Sequence, residues 1–311
     1  MNEGPIDMES ELDCAQMGAI VRPLSLGTIV VSGKDRVSWL NGMVTCEVAK
    51  KTSGDAAYGL IVSKAGKIQT ELYALFGEED VWLGVYESRA ADIATELDRH
   101  LIMEEAELEV LEPAPAWLLA LGPRAKAAAH AAREAGARAG LSTRGGLPAA
   151  IVAAPASALE ATIDAITSSA APSMIATPQG WERIRVEHGI PEFGIDFDDT
   201  NYPQEASLER DAVSFTKGCY LGQETVFMLE NRGHVKKRLV QLLAVGDVSP
   251  GDKIALPDGT EIGKVTSRAL RSPRQHLALG WVKYKQAKAE TEVVIGDAKA
   301  TVTHLLEVKG E

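Results

Sequence analysis

Aromatic side chains make up only 5% of this 311-residue chain, and cysteine occurs three times, at Cys14, Cys46 and Cys219. Three scattered cysteines exclude a disulfide framework, and the odd count implies free thiol. There is no CxxC and no His/Cys cluster with zinc or iron–sulfur spacing. The histidines are equally dispersed, at His100, His130, His188, His234, His276 and His304. No metal site is therefore expected, nor a cluster held stably by protein ligands alone. Apolar runs long enough for a membrane span, roughly 18 residues, are missing. The stretch from Met1 to Asp13 is acidic and has no apolar core, unlike a signal peptide or an arginine-rich transit peptide. The expectation is a cytoplasmic protein without a membrane partner. Positive charge is also short: the net charge of −12 opposes contact with a phosphate backbone, so no direct nucleic-acid partner is expected. Lys236-Lys237-Arg238 is a local exception and reads as a solvated strand end.

What is present is ordinary for a globular protein, with 45% hydrophobic and 24% charged residues. The length suggests roughly two domains at about 100–200 residues each. Thr28 to Val31 is a β-branched run, and Ser32 with Asp35 three residues on reads as a capping box opening a helix that stops at Gly42. Ala57 to Val62, Ile68 to Phe76 and Val81 to Tyr86 read as three strands joined by short turns. Ser88 to Leu101 is helical, with Ile93, Leu97 and Leu101 on one face, and Ala106 to Leu111 returns as a strand.

A join containing Pro113 and Pro115 leads to a second unit of similar kind. Its strand is Trp117 to Leu121, and an alanine-rich helix is expected from Pro123 to Ala139. A strand near Ala149 to Ala153 and a helix from Ser157 follow. Thr177-Pro178 supplies a cap and first position for a helix ending at Gly189. Gly194 to Ser214 is loop-like. Beyond Arg238 short β-rich runs punctuated by Pro-Gly, Asp-Gly and Gly-Asp pairs predict a small antiparallel barrel. The expected fold class is α+β: two pseudo-duplicated α+β units, 1–112 and 113–234, and a C-terminal antiparallel β-barrel, 235–311.

One stretch concentrates unlike chemistry: Lys217-Gly218-Cys219-Tyr220-Leu221-Gly222-Gln223-Glu224. Gly218 and Gly222 allow backbone angles or close approaches that a Cβ forbids. Gly222-Gln223-Glu224 reads as the opening of a helix towards Asn231, with Gly233 as a stop. Cys219 then sits ahead of a helix N-terminus and two residues from an ammonium, both of which favour thiolate. The bland alternative is a glycine turn with a buried, inert cysteine.

This octapeptide resembles the K-G-C-[FY]-x-G-Q-E signature of the YgfZ family, folate-binding proteins that resemble the T-protein (aminomethyltransferase) of the glycine cleavage system. Gly33 to Leu40 with Thr45, Arg185-Val186-Glu187-His188-Gly189-Ile190-Pro191, Pro203-Gln204-Glu205-Ala206, Gly263 to Ser267 and Leu277 to Val282 resemble further segments of the same superfamily. The resemblance spans nearly the whole chain. It implies a T-protein-like body with a pocket for tetrahydrofolate or a derivative, and a role in maturing or repairing iron–sulfur proteins, including enzymes that thiolate tRNA. Its partners would be folate and iron–sulfur client or assembly proteins. Glu187 matches the glutamate that holds the pterin ring, and a carboxylate can accept two hydrogen bonds from that edge. Cys219 is the expected working residue, transiently contacting a cluster, with Lys217 lowering its pKa. Gln223 and Glu224 would fix the turn or meet a ligand, and Arg232 and His234 could meet the folate tail or an anionic partner. For His234, a role at the domain join is the simpler reading.

The departures matter as much. Where the T-protein has a strand with two adjacent aspartates, this chain has Gly66-Lys67-Ile68-Gln69-Thr70-Glu71. Glu71 could substitute in part, but its extra methylene moves the carboxylate by over about 1 Å, a misplacement that can cost about 100-fold. Tyr86-Glu87-Ser88 lacks the T-protein's asparagine, and Thr45-Cys46-Glu47-Val48 differs from its usual segment. These changes argue against aminomethyl transfer. A folate-dependent one-carbon transferase using Glu71 and a non-catalytic adaptor with Cys219 buried stay open as alternatives.

Overall fold

The computed structural model describes residues 8–231 and 233–304. By contacts the chain divides into two compact units, 1–61 with 70–181 and 62–69 with 182–311.

The first unit holds two five-stranded sheets. One comprises β2 (Leu26–Ser32), β3 (Ala56–Val62), β4 (Ile68–Phe76), β5 (Asp80–Tyr86) and β6 (Glu107–Val110), in the order β3-β4-β5-β2-β6. The other comprises β1 (Ala19–Leu24), β7 (Ala116–Leu121), β8 (Arg138–Arg144), β9 (Leu147–Ala154) and β10 (Ser173–Ile175), in the order β10-β1-β7-β9-β8. Helices α2 (Arg36–Asn41) and α3 (Ala90–Asp98) cover the first sheet through Trp39, Leu40, Ile93 and Leu97. Helices α4 (Ala125–Glu134) and α5 (Leu159–Ser169) cover the second. There Ala125, Ala128, Ala129 and Ala132 meet Ala150, Val152 and Ala154, small against small, so backbones approach closely and dispersion contacts are dense. Trp117 is buried between the layers of this unit. Its Nε1 donates to Thr28 Oγ1 at 2.9 Å, and Gly84 leaves room for the ring. Helix α1 (Met8–Met17) precedes β1, and its Glu11 accepts from the Thr177 amide at 2.6 Å.

The pseudo-duplicated α+β expectation holds, with local corrections. Ser32 does not open a helix: it ends β2, Gly33 turns the chain at φ +96°, and α2 begins at Arg36. Asp35 makes no cap because its carboxylate accepts the Glu105 amide at 2.9 Å instead. The alanine-rich helix is shorter than propensity implies. It stops at Glu134, Gly136 turns at φ +91°, and residues from Arg138 pair with β9. Here ladder hydrogen bonds override intrinsic preference.

The second unit contains the end of α6 (Pro178–Glu187), α7 (Gln223–Asn231) and a closed barrel. The barrel strands are β11 (Lys237–Val245), β12 (Lys253–Ala255), β13 (Glu261–Ser272), β14 (Gln275–Lys283), β15 (Glu292–Ile295) and β16 (Ala298–His304), ordered β11-β14-β13-β12-β15-β16. Val240, Leu242, Ile254, Val265, Val282 and Val302 fill its interior. Arg185, 1% exposed, ties α6 to this unit: it donates to Glu182, Asp196 and Ser267, each at 2.7 Å. One buried cation with that many acceptors is compensated for its desolvation.

Candidate functional site

The hairpin tip at 62–69 belongs to the second unit and shapes the cysteine segment. Gly222 turns at φ +77°, and a Cβ there would collide with the Ser63 carbonyl. Gly66, at φ +76°, faces Thr225, whose Cβ would lie 2.9 Å from an added Cβ. Two glycines thus let the hairpin tip and the start of α7 meet backbone to backbone. Gly218 is different: nothing lies within 4 Å of where its Cβ would be.

Between the glycines, Cys219 is exposed and free, which removes the buried-cysteine alternative, while Lys217 and Tyr220 are buried. The Lys217 ammonium lies 5.3 Å from the Tyr220 ring centroid, and burial pushes the Tyr220 phenol up. Gln223 opens α7 and Glu224 follows, exposed in its first turn, where a carboxylate suits the helix dipole. Arg232 lies outside the described residues. Lys67, on the hairpin tip, donates to Thr200 O at 2.6 Å, sits 3.4 Å from the Tyr202 ring centroid and 3.8 Å from Glu205. Burial pushes its ammonium down, against the pull of Glu205.

Glu187 ends α6. Its backbone is secured, because Gln241 Nε2 donates to the carbonyls of Val186 and Glu187 at 2.6 and 2.9 Å. Its carboxylate is not: Oε2 is buried without a hydrogen-bond partner. It forms a long ion pair with Arg183, whose Nε lies 3.9 Å away and likewise makes no hydrogen bond. A buried acceptor left open costs about 1–3 kcal/mol unless something supplies a donor. Burial holds the neighbouring His188 imidazole below its ordinary value, with Glu187 pulling the other way.

Glu71 belongs to the first unit and is engaged there. Its Oε1 accepts from Tyr58 Oη at 2.6 Å and from Arg144 Nη2 at 2.9 Å, and the Arg144 guanidinium lies 4.2 Å from the Tyr58 ring centroid. Thr70 Oγ1 accepts from the Tyr86 amide at 3.2 Å. Among the described residues, no three His, Cys, Asp or Glu side chains gather as a metal site, and no helix is long and apolar enough to cross a membrane.

Sequence reasoning passed over Lys67 and Gln241. Lys67 stood only as part of a departing strand, and Gln241 is one polar residue in an apolar run, a signal no pattern distinguishes from a solvent-facing strand position.

The comparisons with known proteins fit this anatomy. Residues 14–139 match the GCVT N-terminal domain and residues 236–305 match the CAF17 C-terminal beta-barrel domain. The glycine cleavage system aminomethyltransferase T from Bartonella henselae superposes with a TM-score of 0.77 at 19% identity, covering 97% of this chain and 90% of that one. The class is therefore an aminomethyltransferase-T-like body with a CAF17-type barrel.

Among relatives, the tRNA-modifying protein YgfZ of Vibrio vulnificus is 28% identical over 75% of this chain and 72% of its own length. The mitochondrial iron-sulfur cluster assembly factor IBA57 of Mus musculus is 29% identical over 39% of this chain and 35% of its own. The chain is thus similar to YgfZ proteins over most of its length and to IBA57 over a shorter part.

Proposed function

We propose that the protein is a folate-binding accessory factor for the maturation or repair of iron–sulfur proteins, including tRNA-thiomodifying enzymes. Cys219 is its reactive group and Glu187 its pterin anchor. The observation that carries the reading is the buried Glu187 Oε2, which makes no hydrogen bond, at the end of a helix whose backbone is already satisfied. A pterin edge carries the N–H donors this oxygen lacks, so the residue fits the group. Bound tetrahydrofolate would supply one-carbon or reducing chemistry. The chain's own contribution is to hold a carboxylate ready by clamping the helix end through Gln241, and to present a thiol.

Cys219 stands at an exposed turn held by the Gly222–Ser63 approach. A single exposed thiol can contact a cluster only with ligands from outside, which suits transient service to a client. An exposed free cysteine also suits a reducing compartment such as the cytoplasm. The engagement of Glu71 by Tyr58 and Arg144 agrees with a protein that does not carry out aminomethyl transfer.

Calorimetric titration with tetrahydrofolate tests the first half. Micromolar binding to the wild type and none to Glu187→Ala is expected; an unchanged Kd in the variant would remove Glu187 from the pocket. Cys219→Ser tests the second half. Iron–sulfur enzyme activity in cells should fall with the fold intact, and normal activity would leave only a scaffold role.

A further inference from the structure

Within the second unit a cavity of about 140 Å3 lies beside α7, apart from Glu187 and Cys219 in its lining. Two of its lining side chains, Gln204 and Glu209, are only 4% and 3% exposed, and each leaves one oxygen buried without a hydrogen-bond partner. Gln204 Nε2 donates to Val226 O at 2.8 Å, which settles the amide's orientation and leaves Oε1 as the open atom. Glu209 Oε1 is taken by Arg238, so Oε2 is the open one. Arg238 is itself committed, with Nε donating to Ser207 Oγ at 3.1 Å.

The segment carrying both acceptors is held in place. Ser207 adopts φ +57°, and its hydroxyl donates to Leu239 O at 2.8 Å. At the cavity's edge the His234 and Tyr284 rings stack, with centroids 5.0 Å apart at 24°. Glu230 adds a carboxylate, shared with the exposed Arg210.

We infer that this cavity binds a cationic N–H donor group of the guanidinium or alkylammonium class. Two desolvated acceptors without donors call for a multiple donor, and the space exceeds what one water fills. A carboxylate oxygen makes a charged donor the stronger partner, and a planar guanidinium can also lie on an aromatic face. A free small cation and an arginine side chain of a partner protein carry the same chemistry.

The test titrates the purified full chain with methylguanidinium chloride, at ionic strength held constant with sodium chloride, and with the neutral isostere methylurea. Saturable binding of the cation and none of methylurea is expected. Gly233→Leu is the blocking variant: Gly233 lines the cavity and an added Cβ there meets only ordinary contacts, the nearest at 3.5 Å. It should fold normally and bind methylguanidinium at least about tenfold more weakly, a decade in Kd. Glu209→Gln should weaken binding similarly. An arginine-containing peptide that binds more tightly than methylguanidinium identifies a protein partner as the source, and equal binding identifies a free cation. No saturable binding, equal binding of methylurea, or undiminished binding in Gly233→Leu overturns the site.

Discussion

Glu71 on β4 and Glu187 at the end of α6 are glutamates that both matter to a folate reading, yet they are set differently. In the first unit, Glu71 Oε1 accepts from Tyr58 and from Arg144, a guanidinium only 2% exposed. In the second, Glu187 Oε2 is buried without a hydrogen bond, its cation Arg183 standing 3.9 Å off, while the backbone around it is satisfied by Gln241. The same side chain therefore serves as an internal tie in one place and as an open acceptor in the other. Residue type does not separate the two; the donors that tertiary packing brings do.

The largest expected effect comes from opening the tie. Arg144→Ala takes the guanidinium partner from the buried Glu71 carboxylate, and should destabilise by about 3–5 kcal/mol in urea unfolding. A loss below about 1 kcal/mol would mean that water reaches Glu71 and that the contrast is false. Next come the glycines around Cys219. Gly222→Ala, with its positive φ and blocked Cβ, should cost about 1–3 kcal/mol. Gly218→Ala, with open space, should stay within about 0.5 kcal/mol. Equal losses would show that the hairpin tip does not press on this turn.

Glu187→Ala should leave the unliganded protein no less stable, with a gain of up to about 1–3 kcal/mol, since it removes a buried acceptor that makes no hydrogen bond at Oε2, even as ligand binding is lost. The smallest effect is a pH dependence. Burial sets the His188 imidazole below its ordinary value of about 6.5. The unfolded chain then binds that proton more readily, so the contribution of His188 to stability is present above about pH 6.5 and is lost as pH falls below it. His188→Gln should flatten this slope. Because Glu187 pulls the imidazole upward, Glu187→Ala should move the His188 titration, followed by NMR, further down. An upward move would reverse the assigned roles.

Much of this protein was legible in its residues. Apolar runs and turn residues marked the three strands between Ala57 and Tyr86, and Thr177-Pro178 marked the start of α6, where Gly180 N donates to Thr177 Oγ1 at 3.0 Å. The Lys217–Glu224 segment pointed to a cysteine ahead of a helix, because glycine placement and helix opening are local events, while its exposure is a result of packing. Where sequence reading failed, a distant partner decided. Asp35 did not cap α2 because the Glu105 amide, 70 residues away, takes its carboxylate. The strand at Arg138–Arg144 exists because β9 offers a ladder that alanine-rich helix propensity does not outweigh. The cavity acceptors Gln204 and Glu209 carried no signal at all. Local pattern pointed to the fold class and to the glycine-flanked cysteine segment ahead of a helix, and the octapeptide's resemblance pointed to a family. Which polar atoms are paired and which stand open was decided only by tertiary packing, since a hydrogen bond needs its donor within about 3 Å in space, whatever the separation along the chain.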